Sequence, residues 1–281
     1  MDTDKIEFTE THVKLEKIAD STRQNRQKAN WIKLAEKDRI AIGGMYLNPR
    51  ITYDGLNWWL SIGVETNLSL EETTDEVIGV DVGIKNLAVL SDEEQTTYEN
   101  INKTSKTIKD QKKKQRRQQR KISRKYEMNK EGESYKKTNN IRKEAKRLLK
   151  INRRLTNVRH NHIHQTTSSI VKQKPSIIVV EDLNIKGMMK NKHLSKAIAE
   201  QCLHEFTRQI EYKSSLNGIK LKKAGRYYPS SRLCSNCGAI DTELTLKDRT
   251  YTCDYCGLTI DRDYNAALNL KAFGLKVNLT V

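Results

Sequence analysis

Four cysteines constrain this chain more than any other feature. Cys234, Cys237, Cys253 and Cys256 follow the spacing C-x2-C-x15-C-x2-C. Two such knuckles make a closed tetrahedral thiolate site, and structural Zn²⁺ is the ion that this spacing predicts. A module over 229–260 has little core of its own, so bound metal would supply its folding energy. Gly238 and Gly257 directly follow the knuckles, where the turn calls for positive φ. A redox dithiol needs only one such pair. The fifth cysteine, Cys202, is read as a small buried helix residue. An odd count excludes a fully paired disulfide framework, and the pattern fits a reducing compartment.

The net charge of +17 is not spread along the chain. From Lys103 to His160 there are 23 Lys/Arg against 5 Asp/Glu, while the rest of the chain carries 29 and 30. The whole excess lies in one segment, which points to contact with a polyanion rather than to general solubility. Within it, "KDQKKKQRRQQRKISRK" is rich in helix formers, and "NKEGESYKKTNN" interrupts the pattern near Gly132. The segment 103–172 is therefore read as a basic helical hairpin. Leu148, Leu149, Ile151, Leu155, Val158 and Ile163 supply one buried stripe on its second arm, which Pro175 ends. The phosphate-facing candidates are Arg116, Arg117, Arg120, Lys121, Arg124, Arg153 and Arg154, with Arg262 nearer the C-terminus. His160, His162 and His164 are read as a polar helix face, because no fourth ligand accompanies them.

No apolar run reaches the length of a membrane span, and the first residues have no basic-then-apolar signal pattern. The expectation is a soluble, cytoplasmic protein with no membrane partner. "RITYDGLNWWLSIGVE" alternates on either side of Asp54-Gly55 and reads as a β-hairpin. Residues 66–75 read as an acidic linker. Val77–Val82 and "SIIVVE" are short apolar runs of the kind buried in a sheet, and Leu87–Leu90 returns as a further strand. A helix from about Leu194 carries Leu194, Ile198, Leu203, Phe206 and Ile210 on one face. A short strand follows in "GIKLKKAG", and a last helix starts near Asp263.

Three carboxylates stand at telling places. Asp81 lies in the first strong strand, Glu181 ends a later one, and Asp263 opens the last helix. If the two strands are neighbours, their carboxylates meet at one sheet edge and the helix brings the third. Such a cluster repels itself unless cations sit in it. Mg²⁺ accepts carboxylates, and a pair of such ions suits phosphodiester hydrolysis. Taken singly, Glu181 could be a strand-end charge and Asp263 a helix N-cap.

The stretches "GVDVGIKNLAVLSD", "IIVVEDLNIKGMM", "SSRLCSNCG", "LTLKDRTYTCDYCG" and "IDRDYNAALNL" occur in the order typical of the TnpB/OrfB proteins of insertion sequences. The resemblance covers about residues 50–272 and extends to type V CRISPR effectors. It implies an α/β chain: an RNase H-like (RuvC) nuclease core over 76–228 that includes the hairpin, an inserted zinc ribbon over 229–260, and a final RuvC segment over 261–281. A partial wedge-like β region with its linker, 1–75, would precede these. It also implies an RNA-guided, transposon-associated DNA endonuclease, historically called a transposase, working with DNA and a guide RNA from the transposon end. Asp81 and Glu181 match the acids of the first two motifs. The spacing to the asparagine of the third selects Asp263 over Asp261. The resemblance thus implies Mg²⁺ at Asp81, Glu181 and Asp263, and Zn²⁺ at the four cysteines. Only eighty residues precede Asp81, fewer than is usual in the family. A truncated or decayed copy that binds nucleic acid without cutting it is the alternative expectation.

Overall fold

The computed structural model describes residues 6–15, 31–36, 40, 46–65, 72–245 and 248–276. The chain divides into two compact units, 1–69 and 70–281. In the first, strands β1 (Glu7–Phe8), β2 (His12–Lys14) and β3 (Trp31–Lys33) form a small antiparallel sheet. Strands β4 (Tyr46–Tyr53) and β5 (Trp58–Val64) form the hairpin expected at Asp54-Gly55. Asp54 builds the turn. Its Oδ1 accepts from the backbone N–H groups of Leu56 and Asn57, its Oδ2 accepts from the Trp59 indole, and Gly55 takes φ 85°. Ile6, Phe8, Val13, Leu15 and Tyr46 are the core of this unit, with Leu60, Ile62 and Val64 packed on them. Of the expected acidic linker, residues 66–71 lie outside the described residues.

The second unit is built on a five-stranded sheet. Strands β6 (Val77–Val82), β7 (Asn86–Leu90) and β8 (Thr97–Glu99) come first in the chain. Helices α1 (Ile101–Thr104) and α2 (Lys106–Glu127) follow, then the two-residue strands β9 (Lys130–Glu131) and β10 (Ser134–Tyr135), then α3 (Asn139–Lys172). Next are β11 (Ile177–Glu181), α4 (Ile185–Met188), α5 (Ser195–Gln201), α6 (Leu203–Leu216) and β12 (Lys220–Ala224). Strands β13 (Thr250–Thr252) and β14 (Thr259–Asp261) belong to the cysteine module, and α7 (Arg262–Lys276) closes the series. The spatial order is β12-β11-β6-β7-β8. The first three strands run parallel, and β7 and β8 are antiparallel.

Side-chain alternation sorts the sheet's two faces. Ile78, Val80, Ile178 and Val180 pack with Ile163, Ile170 and Val171 of α3 and with Phe206 and Ile210 of α6. Val77, Ile177 and Val179 pack instead with Leu270 and Phe273 of α7. Two glycines let α7 come this close. A Cβ on Gly79 would stand 2.1 Å from the Ala267 carbonyl oxygen, and one on Gly274 would stand 2.6 Å from Val179.

Three expectations need correction. On α3 only Leu155 and Ile163 of the expected stripe are fully buried, and Leu149 is exposed. The first half of α3 lies against α2, whose only fully buried residue is Ile108, and there Leu148 and Ile151 are half-buried. Second, the helix expected from Leu194 is two helices. Cys202 sits between them at φ 55°, half-buried rather than inside a helix. Gln201, at the break, donates to the Gly83 carbonyl and accepts from Asn102, which anchors the junction to the β6–β7 turn. Third, Leu194 precedes α5 and is exposed.

Candidate active site and cysteine centre

Register and parity assemble the carboxylates. Val80 of β6 lies opposite Val180 of the parallel β11, so Asp81 and Glu181 follow as adjacent residues at the same sheet edge. Both have the odd parity of Val77, Gly79 and Val179, the face on which α7 packs. Asp263 stands in the first turn of α7 and is 9% exposed. Glu181 and Asp263 both act on Asp81 electrostatically, but the oxygens of the three do not all come within 4.8 Å of one another. Removal from water pushes the Asp81 carboxyl well above its ordinary value, the Glu181 and Asp263 charges add to the rise, and Arg262 opposes it.

Each carboxylate has a specific partner. Glu181 Oε1 accepts a hydrogen bond from Ser230 Oγ. Asp263 Oδ1 accepts from Arg262 at 3.0 Å. The helix cap belongs to neither of them. Asp261 Oδ1 accepts from the backbone N–H groups of Asp263 (2.9 Å) and Tyr264 (3.1 Å), so Asp261 caps α7 and the N-cap reading of Asp263 does not hold. Arg262 also turns inward. Its side chain is 13% exposed, paired with Asp263 and reaching the Thr245 carbonyl, so its guanidinium faces the carboxylates rather than open solvent.

The cysteine centre is tighter. The four Sγ atoms lie within 4.8 Å of one another, and among the described residues they are the one group of three or more potential ligands that does so. Cys234–Cys256 and Cys237–Cys253 are each 3.6 Å apart. Tetrahedral Zn–S bonds of about 2.3 Å place sulfurs about 3.8 Å apart, so the arrangement fits a structural zinc ion. The knuckles repeat one design. Gly238 N–H donates to the Cys234 carbonyl and Gly257 N–H to the Cys253 carbonyl, with φ of 78° and 71°. The Leu258 N–H and the Asn236 amide lower the Cys256 thiol, while Cys237 is raised despite the Ala239 N–H, by burial and the neighbouring thiols.

The basic residues divide. Arg116, Arg117, Arg120 and Arg124 are exposed along α2, as is Arg154 on α3. Arg153 is half-buried. Lys121 is committed to Glu144, a buried carboxylate of α3 that also holds Lys125, Arg147 and Gln118. His162 contacts the Glu99 carbonyl through its ring, in keeping with a polar helix face.

Sequence reasoning missed Ser230, Asn265 and Asn269. All three are nearly inaccessible to water and link the root of the cysteine module to α7. The signal was two polar residues at i and i+4 within the otherwise apolar face of "NAALNL".

Among the described residues, no helix is long and apolar enough to cross a membrane. Residues 61–192 match the OrfB_IS605 family, described as "Probable transposase", and residues 204–270 match "Cas12f1-like, TNB domain". A "Putative RNA-guided DNA endonuclease" of Streptomyces pristinaespiralis is 31% identical over 218 residues, covering 78% of this chain and 50% of that one. A protein of the same description from Escherichia coli K12, InsQ, is 27% identical over 263 residues, covering 88% and 61%. The chain thus spans about half the length of these relatives. In fold it is similar to a protein solved in a CRISPR-Cas12f ternary complex, with a TM-score of 0.51 at 20% identity, covering 76% of this chain and 42% of that one. Ordered motifs and these matches agree: over residues 61–270 the chain belongs to the TnpB/OrfB (OrfB_IS605) family of transposon-associated proteins.

Proposed function

We propose that this chain is an RNA-guided DNA endonuclease with an RNase H-like (RuvC) core, and that Asp81, Glu181 and Asp263 form its catalytic site. The observation that carries the reading is placement: Asp81 and Glu181 stand at the ends of the paired strands β6 and β11 on one sheet face, and Asp263 stands in the first turn of the helix packed on that face. An all-oxygen anionic donor set suits a hard divalent cation, and Mg²⁺ is the ion whose demands it fits. Two Mg²⁺ ions held there would polarise the phosphate and lower the pKa of an attacking water.

The protein's own part is placement. Asp81 is fixed by the central strand pair, and Glu181 by its bond to Ser230. Arg262 steadies Asp263 and offsets part of the site's negative charge. The exposed arginines of α2 suit the phosphate backbone of DNA or guide RNA, a contact that positions a strand without reading its sequence. Zn²⁺ at Cys234, Cys237, Cys253 and Cys256 would hold the module whose chain leads directly into α7. Relatives described as RNA-guided DNA endonucleases support the choice of substrate and guide.

The test is Mg²⁺-dependent cleavage of single-stranded and guide-matched duplex DNA by the full chain with its RNA. Groups acting as one unit are not additive in their loss, so Asp81→Ala, Glu181→Ala and Asp263→Ala should each lower cleavage by on the order of a thousand-fold or more. Each variant should retain nucleic-acid binding. A native chain that binds tightly and never cuts would leave the binding-only alternative standing.

A further inference from the structure

The segment entering the cysteine module, 230–235, is irregular, and its buried carbonyls need donors from elsewhere. Two asparagines of α7 supply them. Asn269 Nδ2 donates to the Ser230 carbonyl (2.8 Å) and the Leu233 carbonyl (2.6 Å). Asn265 Nδ2 donates to the Leu233 carbonyl (2.7 Å), and its Oδ1 accepts from the Ser235 N–H (3.1 Å) inside the first knuckle. Asn265 and Asn269 are 0% and 2% exposed. Amides so deeply buried are costly unless paired, and both are paired. Their i, i+4 spacing aligns them on the face of α7 that meets this segment. Ser230, 3% exposed, then commits its hydroxyl to Glu181. A continuous frame runs from the cysteine knuckle through α7 to the carboxylate ending β11, and the same helix carries Asp263.

We propose that Ser230 is a positioning residue that aims the Glu181 carboxylate, and that Asn265 and Asn269 lock Ser230 to the helix bearing Asp263. The inference rests on the carboxylate-site reading above. The frame sets two carboxylates from distant parts of the chain in fixed relation, and ties both to the folded state of the cysteine module. A carboxylate ligand left without its orienting hydrogen bond binds metal more weakly, typically by ten- to a hundred-fold.

The experiment uses the full-length, zinc-loaded chain without nucleic acid and titrates Mn²⁺, with free ion read by electron paramagnetic resonance. Ser230→Ala should weaken Mn²⁺ binding by about ten-fold with zinc content and melting temperature retained. Ser230→Thr keeps the hydroxyl and should restore most of the affinity. Native Mn²⁺ affinity in Ser230→Ala, alongside a clear loss in Glu181→Gln, overturns this inference and leaves the carboxylate site intact. Native affinity in both variants overturns the carboxylate site and this inference with it. A loss that Ser230→Thr does not recover assigns Ser230 to packing and also overturns it. Where Ser230→Ala melts early, Asn269→Gln carries the test, since it keeps the amide and displaces it. Weaker Mn²⁺ binding is then expected, and native binding overturns the proposal.

Discussion

Helix α3 spans two different environments. Its C-terminal half lies in the main core, where Ile163, Ile170 and Val171 meet α6 and the sheet. Its N-terminal half faces α2 across a polar seam: Gln115 bonds Asn152, and Gln118, Lys121 and Lys125 converge with Arg147 on the buried Glu144. One end is held by apolar burial, which has no directional requirement. To the buried Ile141 the other adds directional polar contacts, chief among them a single carboxylate that gathers three cations. A helix dense in Lys and Arg repels itself, and Glu144 is the local charge that lets α2 and α3 lie side by side. The seam is specific but shallow, while the core is deep.

The largest effect is expected in the apolar packing on the sheet's other face, under α7. Gly79→Ala puts a methyl into the Ala267 carbonyl, which is backbone and cannot turn aside. Overpacking of this kind costs roughly 1–3 kcal/mol. Thermal melting should drop by several degrees, and cleavage should fall with it because α7 carries Asp263. A Gly79→Ala protein that melts like the native chain would show that α7 is free to shift.

A second variant works on the exposed arginines. Arg116→Gln, Arg117→Gln, Arg120→Gln and Arg124→Gln together should leave melting unchanged. They should flatten the salt dependence of duplex DNA binding by up to about 0.9 in slope for each phosphate no longer neutralised. Lys121→Gln alone should change that slope less than any one arginine, because Lys121 is engaged with Glu144. An equal or larger effect from Lys121 would remove the distinction between seam and surface.

The smallest effect concerns acid. The lysines and the Gln118 amide hold the Glu144 carboxyl well below the usual carboxylate range, Lys121 foremost. A depressed folded value means that the contribution is fully present above the unfolded value of about 4.3. It is lost only as pH falls towards the lower folded value. Amide exchange protection along the α2–α3 seam should therefore hold from pH 8 to pH 5 once corrected for intrinsic rates. Glu144→Gln should lower it across that whole range. Protection already falling by pH 6 in the native chain would contradict the arrangement.

The parts of the molecule legible in sequence are those fixed by short-range rules. A lone charge in or ending a short apolar run marks Asp81 and Glu181, knuckle spacing marks the four cysteines, and Asp54-Gly55 marks its hairpin. The parts that are not legible depend on what lies opposite. Periodicity predicts the α3 stripe, but periodicity cannot show that Leu149 stays exposed. Cys202 is a non-glycine in the left-handed region, held there by the contacts of Gln201 far along the chain. Charge alone makes Arg262 a candidate for holding a strand, and its partner Asp263 stands beside it in sequence. Ser230 has no pattern of its own. Its meaning comes from Glu181, which only the fold brings near.

The order of elements along the chain has a temporal consequence. The central sheet pairs Val77 with Ile177, and the last carboxylate arrives on α7, after every other described element. Synthesis delivers the chain from its N-terminus, and long-range strand pairing must wait for both partners. On the proposed reading, a nascent chain that has exposed the basic hairpin would already hold nucleic acid electrostatically. It would lack a complete set of the proposed carboxylates until residue 263 has emerged, so attraction for a polyanion would precede any capacity to cut it.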